Sequence, residues 1–441
     1  MPGSNDKSER KKVLVITFYW PPAGGITVLR CLKLVKYLRN FGWEPVVFTV
    51  DNPSYQFIDL NNEKDIPEGL EVIKGKIFDP TELFKRISGR KKKEALVNIT
   101  NLTDKKHSWI DKIGIWIRGN FFIPDARMLW IKPSVKALGT YLQHHHIDAI
   151  FTDGPPHTNT VIGMKLAEKF GIPWLADFQD PWTQVDYYQE MMIGDRAHRT
   201  HSRMEQNVFR TARKITIASP TWKRDLESIG AKNVSVFYYG YDEADFAGYE
   251  KNSTGIFKIF HGGLLGNDRN PTVLFEAIRE IILEQPSWKE HIAIRFAGQV
   301  DHAVKRSVEV NGLEANTLYL GQIPREEILE NYADSALLLL PINRAANAQG
   351  RIPGKLYEYL RAQTPILVFG PDDGDVKAIV ESKQLGVSFD YSTPVSVLKD
   401  YLLPLMKAFF AGESMSVNAD VSEFSNENQT LNIARYLDEI T

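Results

Sequence analysis

The sequence predicts an α/β chain built as two doubly wound, Rossmann-like domains, each a parallel sheet covered by helices, the pair facing a cleft. Three observations predict it. Short continuous apolar runs alternate with longer segments of helical periodicity, the pattern of strands buried on both faces. The alternation restarts near residue 256, after a polar stretch. The 441 residues exceed what one ordinary core organises and suit two domains.

In chain order, "VLVITF" (13–18) reads as the first strand, a periodic helix follows, and "PVVFTV" (45–50) reads as the second strand. "IDAIFTD" (147–153), the helix "HTNTVIGMKLAEKFG" and "IPWLADF" (172–178) continue the rhythm. A long helix is expected over 186–212 and a strand at "KITIAS" (214–219). The stretch 241–255, polar and Gly/Ser-containing, reads as a linker. Beyond it the strands are "IFKIFHGG", "HIAIRFAG", "TLYLGQI", "SALLLLP" and "TPILVFG", separated by helices such as "NPTVLFEAIREII", "PGKLYEYLRA" and "GDVKAIVES". The resulting division is a disordered N-terminus over 1–11, domains over 12–245 and 246–424, and a C-terminal helix over 425–441 packing back on the first domain.

Residues 84–123 break the rhythm. Six basic residues between Lys85 and Lys93 stand without an acid, and "WIDKIGIWIRGNFFIP" follows. One reading is a solvated loop before a buried helix. The other is a surface that docks on anionic lipid, basic residues to headgroups and aromatics into the interface.

The totals exclude several classes. A formal net charge of −2 gives no global field for nucleic acid. The one cysteine, Cys31, lies in an apolar helix pattern and reads as core packing, as a reducing compartment allows. The N-terminus lacks the apolar core of a secretory signal, and no run reaches the roughly 18 apolar residues of a membrane span. The expected location is cytoplasmic, peripheral at the inner face of the membrane through 84–123.

The chemistry-bearing stretches fall after strands. "FYWPPAGGITVLR" (18–30) places Gly24 and Gly25 where a backbone can approach a ligand and a helix start offers free N–H groups to an anion. It lacks the Gly-x-Gly-x-x-Gly of a dinucleotide fingerprint, which disfavours a nicotinamide oxidoreductase. Arg30 follows, to meet a ligand or else solvent or a carboxylate. "FHGGLLGNDRNP" repeats the device with Arg269 before a helix. Lys355 and Glu358 share a helix face. They read as a surface ion pair or as a grip, lysine to phosphate and glutamate to two ribose hydroxyls. Asp177 and Asp180 flank "FQ" at a strand end, as functional or structural carboxylates. His157 follows "GPP" at a helix start. The run 144–146, three adjacent histidines, does not share a face, and Asp373 and Asp375 in "PDDGDV" read as turn and helix-start residues. No metal site and no cofactor are expected.

These stretches give the chain its resemblance. "YWPPAGGITVLRCLKLVKYLRNFGWEPVVFT", "TDGPPHTNTVIGMKLAEKFGIPWLADFQDPW", "RNPTVLFEAI" and "PGKLYEYLRAQTPIL" resemble segments of family 4 retaining glycosyltransferases of the GT-B fold, nearest to bacterial enzymes of surface-polysaccharide (capsule or O-antigen) synthesis. The resemblance spans roughly 12–440. It implies a metal-independent glycosyltransferase that takes a sugar from a nucleotide diphosphate donor in the C-terminal domain to a lipid-linked or saccharide acceptor in the N-terminal domain, with retention. It implies that Gly24, Gly25, Gly263, Arg269, Arg351, Lys355 and Glu358 bind the donor. It places His157 beside the transferred sugar, gives Asp180 a catalytic role and makes Arg30 and Asp177 acceptor or sugar contacts. The chain departs from the pattern at Gly350, where the first glutamate of a Glu-x7-Glu motif belongs. It departs again at Gly263, in place of a basic phosphate ligand, and at Gln179, where "DFRDPW" is commoner. Arg351 or Lys355 is expected to supply the missing charge. A nucleotide-sugar epimerase of the same shape and a catalytically weak nucleotide-sugar-binding homologue are the rival readings.

Overall fold

The structure is a computed structural model that describes residues 10–51, 55, 57–77, 109–252 and 254–441. The basic run 85–93 lies outside the described residues. The chain forms two compact units, Met1–Tyr239 with Asn426–Thr441, and Gly240–Ser425.

The first unit is built on β1 (Lys11–Ile16), β2 (Trp43–Val50), β3 (Glu71–Gly75), β4 (Ala149–Gly154), β5 (Trp174–Phe178), β6 (Lys214–Ile217) and β7 (Val234–Val236). They form one parallel sheet in the order β3-β2-β1-β4-β5-β6-β7. β1, β4 and β5 are apolar on both faces because each face carries a core. One core holds Trp130, Val161, Ile162 and Trp174; the other holds Leu34, Leu38, Trp43, Ile433 and Leu437. The second of these brings the last helix, Asn426–Ile440, onto the helix Ile26–Leu38. Cys31 is buried in it.

The second unit is built on β8 (Phe257–Gly262), β9 (Ile292–Ala297), β10 (Thr317–Gly321), β11 (Leu337–Pro341), β12 (Ile366–Phe369) and β13 (Gly386–Phe389). Its sheet is also parallel, in the order β10-β9-β8-β11-β12-β13. In each sheet the order reverses once, at β1/β4 and at β8/β11. Loops leaving the carboxyl ends of such a strand pair diverge, and the crevice they leave is where ligands of open α/β sheets bind.

Two stretches differ from the sequence expectation. The span 186–212 is divided: a short 3-10 turn, Asp186–Met191, is followed by the helix Asp195–Thr211. Met192 stands at φ 49° between them, in the left-handed region that ends a helix. The expected linker 241–255 is packed into the second unit. Tyr241 and Phe246 are buried, with rings 6.2 Å apart, and Phe246 meets Tyr249 at 5.4 Å. Aromatic residues interleaved among the polar ones anchor what composition alone marks as a linker.

Candidate functional site

In the second unit, the turn after β8 carries Gly262 and Gly263. Gly263 adopts φ 123°, a backbone conformation that favours glycine. Its N–H donates to Ala297 O at 2.7 Å, and Gly262 N–H donates to the Tyr359 hydroxyl at 3.1 Å. Above the turn stands Lys355, the first residue of the helix Lys355–Ala362. A Cβ built on Gly263 would collide with Lys355 Nζ and lie 3.2 Å from its Cε. The ammonium therefore occupies the space that a side chain at 263 would fill. The sequence has a glycine where the resembling pattern has a basic ligand, and Lys355 is the basic residue beside it.

Lys355 makes no hydrogen bond or ion pair with the described residues. Burial, and then the nearby Arg269, push its pKa down to about 8, while Glu358 acts in the opposite sense. Arg269 lies in the short turn Asn267–Arg269 and is bonded to Asp268, Nη2 to Oδ2 at 3.0 Å. Arg351 follows the turn Ala348–Gly350, and Gly350 is buried.

Glu358 is held by two donors that the sequence did not reveal. Arg325 Nη1 donates to Oε1 at 2.6 Å and the Tyr332 hydroxyl to Oε2 at 2.8 Å. Arg325 in turn lies 3.5 Å from Asp245. Each carboxylate oxygen keeps a second lone pair, so the anchored carboxylate retains acceptor capacity. Asp373 and Asp375, read from the sequence as turn and helix-start residues, differ in burial: Asp373 is exposed on the turn, whereas Asp375 is buried at the start of the helix Asp375–Ser382. Among the described residues no group of three or more His, Cys, Asp or Glu side chains is placed to hold a metal.

In the first unit, the loop after β1 is latched to residues 57–59. Gly24 N–H donates to Phe57 O at 2.9 Å, and Asp59 N–H donates to Pro22 O at 2.9 Å. The Gly24 amide, expected to face donor phosphates, is thus committed inside the loop. Gly25 is exposed and precedes the helix Ile26–Leu38.

Arg30 and Asp177, expected as acceptor or sugar contacts, are instead bonded to each other. Nε reaches Oδ2 at 2.9 Å and Nη2 reaches Oδ1 at 2.8 Å, with both side chains buried. The guanidinium also lies over the Phe237 ring at 4.0 Å, and Thr216 donates to Asp177 Oδ1 at 2.6 Å. A bidentate pair so enclosed fixes the carboxyl end of β5 against the first helix. Beside it, Asp153 accepts from Thr17 Oγ1 at 2.8 Å and from Gln179 Nε2, and Gln179 Oε1 accepts from the Tyr239 hydroxyl at 2.9 Å. Gln179 thus links the end of β4 to Tyr239 where the resembling pattern has arginine.

His157 opens the helix His157–Phe170, its ring stacked on Trp182 at 4.3 Å. Burial, with His201 nearby, holds its pKa down at about 3, so it is neutral at neutral pH. Its Nδ1 is buried without a partner among the described residues, 3.3 Å from where a Cβ at Gly154 would stand. Asp180 follows β5 and stays partly exposed.

Against solved structures the chain is similar in fold to sucrose-phosphate synthase from Thermosynechococcus elongatus, at 13% identity over 98% of this chain and 99% of that one, TM-score 0.59. It is similar to the N-terminal domain of Candida albicans trehalose-6-phosphate phosphatase, at 12% identity over 100% and 99%, TM-score 0.59. A mutant of S. aureus TarM in complex with fondaparinux, α-GlcNAc-glycerol and UDP matches at 11% identity over 98% and 97%, TM-score 0.50. No protein-family model matches the chain, and no curated protein matches it by sequence. At these identities the likeness shows the fold: the chain has the two-domain GT-B architecture of paired parallel sheets.

Proposed function

We propose that the chain is a glycosyltransferase. It moves a sugar, with retention, from a nucleotide diphosphate donor held by the second unit to a lipid-linked or saccharide acceptor engaged by the first, in surface polysaccharide synthesis. The observation that carries this reading is the Lys355 ammonium standing over Gly263, bonded to none of the described residues, at the carboxyl end of the β8/β11 pair. A diphosphate supplies the missing charge, and the UDP in the TarM complex is a ligand of that chemistry.

In this reading Lys355, Arg269 and Arg351 take the phosphates and Glu358 accepts from the ribose hydroxyls. As the bond to the sugar breaks, negative charge grows on the diphosphate, and fixed cations and loop amides stabilise it most in the transition state. His157, neutral and aromatic-stacked, and Asp180, partly exposed, serve the reacting sugar; Gly25, exposed before the helix Ile26–Leu38, serves the donor. Arg30 and Asp177 act by shaping the floor beneath. Because the charge a divalent ion would bring is carried by side chains, turnover is expected to be metal-independent. The work is placed at the inner face of an anionic membrane, reached through residues 84–123.

The test is calorimetric titration of the full chain with nucleoside diphosphates, then product analysis with nucleotide sugars in excess EDTA. Lys355→Met is expected to weaken the cognate diphosphate by roughly 10- to 100-fold, the worth of a hydrogen bond to a charged group. Unchanged affinity refutes the donor site. Epimerised donor without transfer, or activity lost to EDTA and restored by magnesium, refutes the reaction as written.

A further inference from the structure

In the first unit, the helix Asp195–Thr211 carries four arginines along one side. Arg199, Arg203 and Arg210 stand three, seven and fourteen residues on from Arg196, so at 3.6 residues per turn all four fall within an arc of about 60°. At 1.5 Å of rise per residue they form a row about 21 Å long. All four are exposed. Among the described residues none of them meets a carboxylate; the one side-chain bond they make runs from Arg210 Nη2 to Asn207 Oδ1 at 3.2 Å. The helix's only exposed carboxylate is Asp195, its first residue.

Helix stability does not call for this arrangement. Arg196 with Arg199, and Arg199 with Arg203, are like charges on neighbouring turns and repel each other. Arg196 also lies in the first turn, where the helix dipole disfavours a cation. The opposite side of the helix is already committed, with Ala197, His201, Glu205, Val208 and Phe209 buried. Trp182 Nε1 donates to His201 Nδ1 at 3.0 Å, and Thr183 Oγ1 donates to Glu205 Oε2 at 2.6 Å. These bonds tie the helix to the loop that carries Asp180. Because β5 and β6 are parallel neighbours, the helix between them runs back against the strands. Arg196 therefore lies toward the carboxyl edge of the sheet and Arg210 toward the opposite edge. The row starts on the side where Asp180 stands and leads away from it.

We propose that this row binds an anionic glycan, a saccharide chain bearing carboxylate or phosphate groups, and that the acceptor is of this kind. Its reacting end lies toward Asp180 and its length runs along Arg196, Arg199, Arg203 and Arg210, whose planar forks match such groups. Thr200 and Gln206, exposed beside the row, are uncharged neighbours suited to sugar hydroxyls. Naming the glycan the acceptor rests on the transferase reading above; the binding itself does not. A helix that docks on a bilayer offers an apolar face to insert, and this one buries its apolar side; a row one side chain wide suits a strand.

The test is calorimetric titration of the full chain with an oligogalacturonate, neutral dextran, poly(U) and phosphatidylglycerol vesicles. The oligogalacturonate is expected to bind, more weakly as salt rises, and dextran is not. Arg199→Gln and Arg203→Gln are each expected to weaken it roughly three- to tenfold, and the double variant more than either. Lys136→Gln, the same loss of charge at an exposed position on the helix Ile131–Leu142, is expected to leave it unchanged. No binding, binding equal in wild type and arginine variants, or an equal loss in Lys136→Gln overturns the proposal. So does binding of vesicles or poly(U) that depends on the arginines while oligogalacturonate binding does not. Nucleoside diphosphate titrated into the same variants separates the two readings. If it binds as in the wild type and the row fails, the glycan inference falls alone. If it never binds while the row behaves as expected, the transferase reading falls and the row stands as a glycan-binding surface.

Discussion

Asp153 is a buried carboxyl whose neighbours donate to it without neutralising it. Thr17 and Gln179 supply hydrogen bonds, but the nearest cation, Arg30, is bound to Asp177. Burial, followed by the Asp177 charge, pushes its pKa up to about 7. An arginine in place of Gln179 would hold the carboxyl charged; glutamine leaves it to its own desolvation. The folded value lies above the unfolded value of about 3.9, so the folded state binds the extra proton between them. The contribution to stability is complete below about 4 and is lost as pH rises through about 7. Asp153→Asn removes this titration. Denaturant unfolding at several pH values is expected to show the variant gaining on the wild type between about pH 4 and 7, by roughly 2–4 kcal/mol in total. Parallel curves would contradict a perturbed carboxyl. At this scale the sequence was least informative. Arg30 was recognisable as a charge on the first helix and Asp177 as one near a strand end, but that they are each other's partner depends on that helix packing beside the carboxyl end of β5, which no local pattern encodes.

At the scale of elements, the opposite holds. The strands were legible because both faces of each sheet are covered, so "VLVITF" and "SALLLLP" are continuous apolar runs with no alternation to misread. The glycine turns after β1 and β8 were legible for the same reason that they are useful, since small residues directly after a strand mark a close backbone approach. What the turns hold was not. Gly24 spends its amide on Phe57, and Gly263 matters because Lys355 lies over it. The helix at 355 and the turn at 263 meet only because β8 and β11 are neighbours in the sheet. The consequence is measurable. Gly263→Ala places a Cβ against the lysine and in a φ range that alanine rarely adopts. The variant is expected to lose about tenfold or more in nucleoside diphosphate affinity, with a small fall in melting temperature. Affinity equal to the wild type would show that the ammonium does not need that position.

At the scale of the molecule, the first unit is made from two distant pieces of chain, because the last helix returns to it after the whole second unit. The sequence is read with that helix packing back on the first domain; which side chains it meets there is set by tertiary packing. Leu437 is fully buried beside Leu34, Trp43 and Ile433. Leu437→Ala removes buried methyl groups and leaves a cavity, a change that costs roughly 2–5 kcal/mol in comparable cores. A chain of two units need not unfold in one step, and a ligand raises only the transition of the unit that binds it. Scanning calorimetry with and without nucleoside diphosphate therefore assigns the transitions: the one that rises belongs to the second unit. Leu437→Ala is expected to lower the other transition and leave the nucleotide-sensitive one in place, with diphosphate affinity unchanged. A variant in which the nucleotide-sensitive transition falls by as much would place the last helix in the stability of the second unit, against the core it completes here.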